Sequence, residues 1–167
     1  MTTTQHTPRE FTLTWTIDAS PETVFLSWTD SDRLGWYYND GQPTPTEAIE
    51  LDLRVGGVWR QLMVIDEDTS YFTGGIYREI VPNERLVYAW GATGGWPRLD
   101  PDNLDESPQV TIVLTGNAAR TEMVVHVELP AEPPDDGVPA WWPMVENGFR
   151  DTIDRLVAEL GRAPAPA

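Results

Sequence analysis

The chain has 167 residues and a formal net charge of −16, from 27 acidic and 11 basic residues. Every basic residue is Arg, and neither Lys nor Cys occurs, which excludes Schiff-base lysines, a phosphate-loop lysine, thiol nucleophiles, disulfides and thiolate metal sites. The length suits one domain, and the acidity argues against nucleic acid or an anionic membrane as partner, because phosphates are met by basic patches.

Residues 1–9 are polar and read as a disordered N-terminus, with no basic start and apolar core of a secretory signal. From Glu10 the pattern changes: Phe11, Leu13, Trp15 and Ile17 alternate with Thr12, Thr14 and Thr16, which predicts a strand with one buried face. Ser20-Pro21 then offers an N-cap with Pro at the first helical position, for a short helix to about Trp28. Asp30 offers a second cap, for a brief helix through Leu34 to Trp36. The aromatic triplet Trp36-Tyr37-Tyr38 runs into the turn Asn39-Asp40-Gly41.

Ile49, Leu51, Leu53 and Val55 alternate with charged residues and predict a second strand, closed by Gly56-Gly57. Strands follow at Val58–Ile65, Tyr71–Val81, Arg85–Trp90, Val110–Thr115 and Thr121–Leu129, with turns at residues 66–70, at Pro82-Asn83 and at Gly116-Asn117. The connection Gly91–Ser107 is long for a hairpin and carries Trp96 and four acidic residues. Its Asp100–Glu106 run fails the calcium-loop pattern, since Leu104 takes a ligand position and the required Gly is missing.

A Pro- and Asp-rich connector leads to Pro139–Leu160. There Trp142, Val145, Phe149, Ile153, Leu156 and Leu160 fall at helical spacing, with Arg150, Asp151, Asp154 and Glu159 opposite and Gly161 as a stop. That stripe could contribute roughly 9–18 kcal/mol of gross burial once pressed on a surface. Strands linked by hairpins, with helices kept apart from them, imply an α+β domain on an antiparallel sheet.

Three stretches resemble one known family: the opening Ile17-Asp18-Ala19-Ser20-Pro21-Glu22-Thr23-Val24-Phe25, the strand–turn–strand Leu51–Arg60 with Gly56-Gly57 at its centre, and the run Gly75–Trp90. The chain resembles, over about Glu10–Leu160, the single-domain relatives of the activator of heat-shock protein 90 ATPase, within the START and Bet v 1-like helix-grip superfamily. The resemblance implies a helix-grip fold: a curved antiparallel sheet of about seven strands around a long C-terminal helix, with two short helices after the first strand. It implies a single domain over residues 10–161, with residues 162–167 a disordered tail. It also implies a cavity between sheet and helix for apolar or amphipathic small molecules. The co-chaperone's additional N-terminal domain has no counterpart here, so ATPase activation is not expected.

Strand parity then nominates pocket residues. Trp15 lies on the first strand, Trp59 and Met63 on the third, Tyr77 on the fourth, and Tyr88 and Trp90 on the fifth. Trp36 and Tyr37 join them from the triplet, and Trp142, Val145 and Phe149 from the long helix, with Ile153, Leu156 and Leu160 read as pure packing. Each of these aromatics taken singly also suits plain core packing. On the third strand parity alone leaves Val58, Leu62 and Val64 open as the inward set. Gly148, in mid-helix, fits either close helix–sheet contact or room for a ligand. Glu79 shares the parity of Gly75 and Tyr77 and is either a pocket acid or the partner of a surface Arg. His126 has the parity of the outer face.

No nucleophile–base pair, metal set or cofactor site is expected. The leading expectation is a cytoplasmic small-molecule binding module. A cyclase/dehydratase-type enzyme using the same cavity and a chaperone-associated interaction module are the alternatives, and the long loop is a candidate lid or homodimer contact.

Overall fold

The computed structural model describes residues 10–38, 48–93, 102, 104, 107–128 and 142–162. The expectations for both termini, for residues 39–47 and for most of the 94–106 connection lie outside these residues. The strands are β1 (Glu10–Ile17), β2 (Glu50–Leu51), β3 (Val58–Asp66), β4 (Thr69–Val81), β5 (Arg85–Thr93), β6 (Gln109–Gly116) and β7 (Thr121–Glu128). Helix α1 (Pro21–Thr29) and two 3₁₀ turns, Ser31–Arg33 and Gly35–Tyr37, follow β1, and helix α2 (Trp142–Arg162) ends the described chain. The seven strands form one antiparallel sheet in the order β1-β7-β6-β5-β4-β3-β2. This is the α+β helix-grip architecture, with both short helical segments after the first strand.

Local chemistry sets the boundaries. The Ser20 side chain accepts from the Thr23 N–H at 3.2 Å, capping α1 with Pro21 in its first turn. Asp30 ends α1, and its carboxylate accepts from the Asp32 N–H at 3.0 Å to start the next turn. Asn83 turns β4 into β5 with φ 65, a left-handed conformation Asn tolerates. Helix α2 runs through Gly161 to Arg162 rather than stopping at the glycine.

The second strand is much shorter than its alternation suggests. After Leu51 the chain curls: the Arg54 N–H donates to Asp52 O and the Gly57 N–H to Arg54 O, while Gly56 (φ 84) donates to Tyr77 O. These bonds spend the groups a strand would offer its neighbour. Leu53 and Val55 are left 41% and 64% exposed, so the apolar alternation there does not mark a buried face.

The concave face carries the core. Phe11, Leu13 and Ile17 of β1, Val110, Ile112 and Leu114 of β6 and Met123, Val125 and Val127 of β7 pack there, covered by Phe149, Ile153 and Leu156 of α2 and by Val24, Phe25 and Trp28 of α1. On β3 the inward set is Trp59, Gln61 and Met63, all buried, while Val58 is exposed. Register places Gly75 directly between Trp59 and Trp90, and pairs Met63 with Tyr71, Gln61 with Thr73 and Tyr77 with Tyr88.

A bulge at Arg78 breaks the parity on β4: Tyr77 pairs with Tyr88, but Glu79 pairs with Val87. Glu79 is thereby turned to the outer face, opposite Tyr77, where it meets the Arg85 guanidinium at 3.0 Å. It is the partner of a surface Arg and not a pocket acid.

Gly75 must stay without a side chain. A Cβ there would stand 2.5 Å from Ala89 O and 2.7 Å from the Tyr88 ring. Gly75→Ala is expected to destabilise the fold by about 1–3 kcal/mol through overpacking. Urea unfolding of the two proteins measures this, and an unchanged midpoint would show that the strands move apart without cost.

Candidate functional site

Between α2 and the β3–β5 end of the sheet lies a cavity of about 210 Å³. The sheet supplies Met63, Tyr71, Thr73 and Trp90, and α2 supplies Gly148, Phe149, Thr152 and Ile153. Trp28 of α1 and Trp36 and Tyr37 of the second 3₁₀ turn complete the wall. Among the described residues no lining side chain is acidic or basic at neutral pH, although the chain as a whole carries −16.

Each wall is held from behind. The Trp36 indole N–H donates to Ser27 O at 2.9 Å, and the Trp28 indole N–H to the Met123 sulfur at 3.4 Å. Buried Gln61 accepts from the Trp59 indole N–H at 3.2 Å and donates to Leu34 O at 3.5 Å, tying β3 to the 3₁₀ turns. Arg155 of α2 reaches across to the same turn, donating from Nε to Trp36 O at 3.1 Å and from its terminal nitrogen to Tyr37 O at 3.4 Å. An edge-to-face chain runs Trp28–Trp36–Tyr37–Trp59–Tyr88–Tyr77, with centroids 4.8 to 6.3 Å apart. Phe149 sits edge-on to Trp90 at 5.0 Å and to Phe11 at 5.9 Å.

Tyr37 is the polar centre. Burial pushes its hydroxyl up to about 12, partly offset by the Thr73 hydroxyl and the Trp90 indole N–H that face it. Burial raises Tyr71 as well, and raises Tyr77 and Tyr88 strongly. The Thr73 hydroxyl in turn donates to Gly91 O at 3.5 Å. The described wall of the cavity thus holds neutral hydroxyl and indole groups and no ionised base near neutral pH.

Of the residues nominated from the sequence, Trp36, Tyr37, Met63, Trp90 and Phe149 line the cavity. Trp59, Tyr77 and Tyr88 point the same way but lie in the packed layer beside it. Trp15, on β1, does not line the cavity; it packs against the core, with its indole N–H donating to Asp154 of α2 at 2.9 Å. The side chains of Trp142 and Val145 lie outside the described residues.

Trp28, Tyr71, Thr73 and Thr152 were not nominated. For Tyr71 and Thr73 the signal was available, since both share the parity of Gly75. Ile153 was read as pure packing and lines the cavity as well. A Cβ at Gly148 would meet nothing within 4 Å, so close helix–sheet contact does not explain this glycine.

His126 faces outward, as its parity predicted, with Nδ1 2.7 Å from the Thr12 hydroxyl and Nε2 3.0 Å from Glu128. Neither His126 nor Glu79 approaches the cavity.

The family described as Activator of Hsp90 ATPase homolog 1-like protein matches residues 18–161. The chain belongs to this family. Solved structures similar to this family member include a protein from Chromobacterium violaceum, 23% identical with a TM-score of 0.68, covering 92% of this chain and 97% of that one. A heat-shock protein 90 activator from Plasmodium falciparum is 19% identical, with a TM-score of 0.64 and coverage of 92% and 96%. The Aha1 dimer from Colwellia psychrerythraea is 13% identical, with a TM-score of 0.62 and coverage of 93% and 98%. These likenesses establish the fold that the family member shares with them. No curated protein matches the sequence. Among the described residues no helix is long and apolar enough to cross a membrane.

Two outcomes follow for this site. The raised Tyr37, Tyr77 and Tyr88 hydroxyls favour the folded state while they are neutral. An unfolded Tyr ionises near pH ~10, so stability is full below that and falls as pH rises towards the folded value of about 12 for Tyr37. Thermal melts across this range should show Tm dropping together with tyrosinate absorbance, and tyrosines that titrate as free residues without loss of fold would contradict the burial. Replacing Arg155 by Met should remove the bonds to Trp36 O and Tyr37 O and cost about 1.5–3 kcal/mol. Near-UV circular dichroism would lose aromatic signal before far-UV signal changes, whereas two coincident losses would show that the contact holds the whole fold and not the turn alone.

Proposed function

We propose that the chain is a binding module for a compact, uncharged aromatic or amphipathic small molecule, held between sheet and α2. The observation that carries this reading is the cavity of about 210 Å³, walled by aromatics around a neutral hydroxyl cluster, with no charged side chain among the described residues that line it. Binding sites have this composition: mostly apolar, with a few placed polar groups. Its volume lies below the roughly 300–1,000 Å³ of drug-sized pockets, which favours a ring system of modest size over a long acyl chain. An ionised ligand would lose its hydration with no opposite charge to replace it. We assign the protein to the cytoplasm on the same footing.

The enzymatic alternative loses support, because His126 and Glu79, its two candidates, lie on the outer face. The chaperone-associated alternative is favoured by one finding, the shared fold with the Plasmodium falciparum heat-shock protein 90 activator. Retention of heat-shock protein 90 from the same organism on the immobilised chain would favour it. The Colwellia psychrerythraea Aha1 dimer makes self-association a property to test alongside, by light scattering.

Naphthol and naphthoate, alike in shape and different in charge, test the leading reading. Naphthol should quench Trp fluorescence and raise Tm, and naphthoate should do neither. Gly148→Ala should stabilise the helix by about 1 kcal/mol and keep the response. Gly148→Phe, entering open space, should narrow the cavity and abolish the response without unfolding the protein. Equal responses from wild type and Gly148→Phe would place binding elsewhere.

A further inference from the structure

We propose that the outer face of β1 and β7 carries a binding site for a borderline divalent transition ion of the zinc class, formed by Glu10, His126 and Glu128. The three residues stand on paired strands and not on loops. Glu10 lies directly opposite Glu128 in the β1–β7 register, and His126 precedes Glu128 by two positions and so shares its face. His126 Nε2 stands 3.0 Å from a Glu128 oxygen and 3.6 Å from a Glu10 oxygen, and one ligand atom from each residue lies within 4.8 Å of the others. Zinc takes nitrogen and oxygen ligands at about 2.0–2.2 Å, so tetrahedral ligand atoms stand about 3.3–3.6 Å apart. The observed separations bracket that spacing, and small side-chain rotations close the difference.

The other ring nitrogen gives an independent indication. His126 Nδ1 lies 2.7 Å from the hydroxyl of Thr12, its register partner. A metal-bound imidazole donates its remaining N–H to such an oxygen, which fixes the tautomer and the ring plane. With Nδ1–H donated to Thr12, the tautomer that a bound ion would select, Nε2 is left to the ion, 3.0 Å from a Glu128 oxygen and 3.6 Å from a Glu10 oxygen. No Arg pairs with Glu10 or Glu128 among the described residues, so neither carboxylate is already neutralised there.

Two carboxylates and a neutral imidazole balance a divalent charge, and the strongly acidic chain raises the local cation concentration. The nitrogen ligand favours Zn²⁺, Ni²⁺ or Cu²⁺ over Mg²⁺, and side-chain exposure on one side leaves a coordination position for water. The site is remote in character from the cavity and does not depend on the ligand reading given above.

Isothermal titration of the untagged full chain with zinc sulfate at neutral pH tests this. One ion should bind per chain with micromolar affinity, and magnesium at the same concentration should give no saturable heat. His126→Ala should abolish the binding, and Glu10→Gln and Glu128→Gln should each weaken it. Thr12→Val, which removes only the positioning hydroxyl, should weaken it about tenfold or more. His6→Ala should leave it unchanged. Because all four positions face outward, far-UV circular dichroism should be the same throughout. Absence of zinc binding, equal affinity in His126→Ala, or equal binding of magnesium would each overturn the proposal.

Discussion

One guanidinium fixes the relation between α2 and the second 3₁₀ turn after β1. Arg155 leaves α2 on the flank of its apolar stripe and donates to the main-chain oxygens of Trp36 and Tyr37. These carbonyls end a three-residue 3₁₀ turn that has no longer helix to satisfy them. A charged donor is the strongest neutral-backbone partner available, and it comes from the element that must be located. The contact therefore sets two things together: the depth at which α2 settles, and the positions of the two aromatic rings that wall the cavity. Ile153 and Leu156, on neighbouring turns of α2, are buried beside it, so the helix is anchored along its C-terminal half. Its opposite half, at Gly148 and Phe149, covers open volume.

The sheet makes a complementary contribution by what it leaves out. Trp59 and Trp90 face each other across Gly75, and the missing side chain lets the Tyr88 ring lie against β4. A larger residue would push β5 from β4 and break the edge-to-face sequence that supports Tyr37. The bulge at Arg78 then separates two chemistries along one strand. Before it, Tyr71, Thr73, Gly75 and Tyr77 face the interior; after it, Glu79 faces solvent and pairs with Arg85. Were Arg78 paired in a regular ladder, Glu79 would fall opposite Leu86 and a carboxylate would enter the aromatic layer, with a desolvation cost that no basic residue of the described cavity wall could offset.

Much of this was legible in the amino-acid sequence wherever a local rule and a tertiary demand agreed. The alternation of β1, the Ser20-Pro21 start of α1 and the stripe of α2 each serve the same buried face. The second strand misled because Leu53 and Val55 keep the period set by Ile49 and Leu51 while the main chain beyond Leu51 bonds within a turn. Parity placed Glu79 on the face of Tyr77, although its pairing with a surface Arg was among the readings the sequence offered: parity counts residues, and a bulge adds one without any signature in the side chains. The cavity wall was legible only as a set of inward aromatics. Trp59, Tyr77 and Tyr88 satisfy the same parity as Met63 and Trp90, and only packing distinguishes a wall from the layer next to it. Trp28 escaped notice because it closes a short helix, where its role depends on the neighbouring turn.

On the proposed reading, selectivity in the cavity would come from the distribution of charge. Twenty-seven acidic residues lie in a chain of 167, yet none is among the described residues that line the cavity, and the basic residue closest in function, Arg155, is bound to main-chain oxygens beside it. The polar groups left inside are hydroxyls and indole N–H groups, and burial keeps Tyr37 neutral far above physiological pH. Such groups bind through hydrogen bonds and ring contacts that are worth little to an ion, because an ion must surrender hydration free energy that neutral dipoles in this number do not restore. The acidic exterior adds to the discrimination by repelling anions before contact. An anion would therefore meet two barriers, the field outside and the dielectric inside, and a cation only the second. An uncharged ring that can accept or donate a single hydrogen bond meets neither barrier.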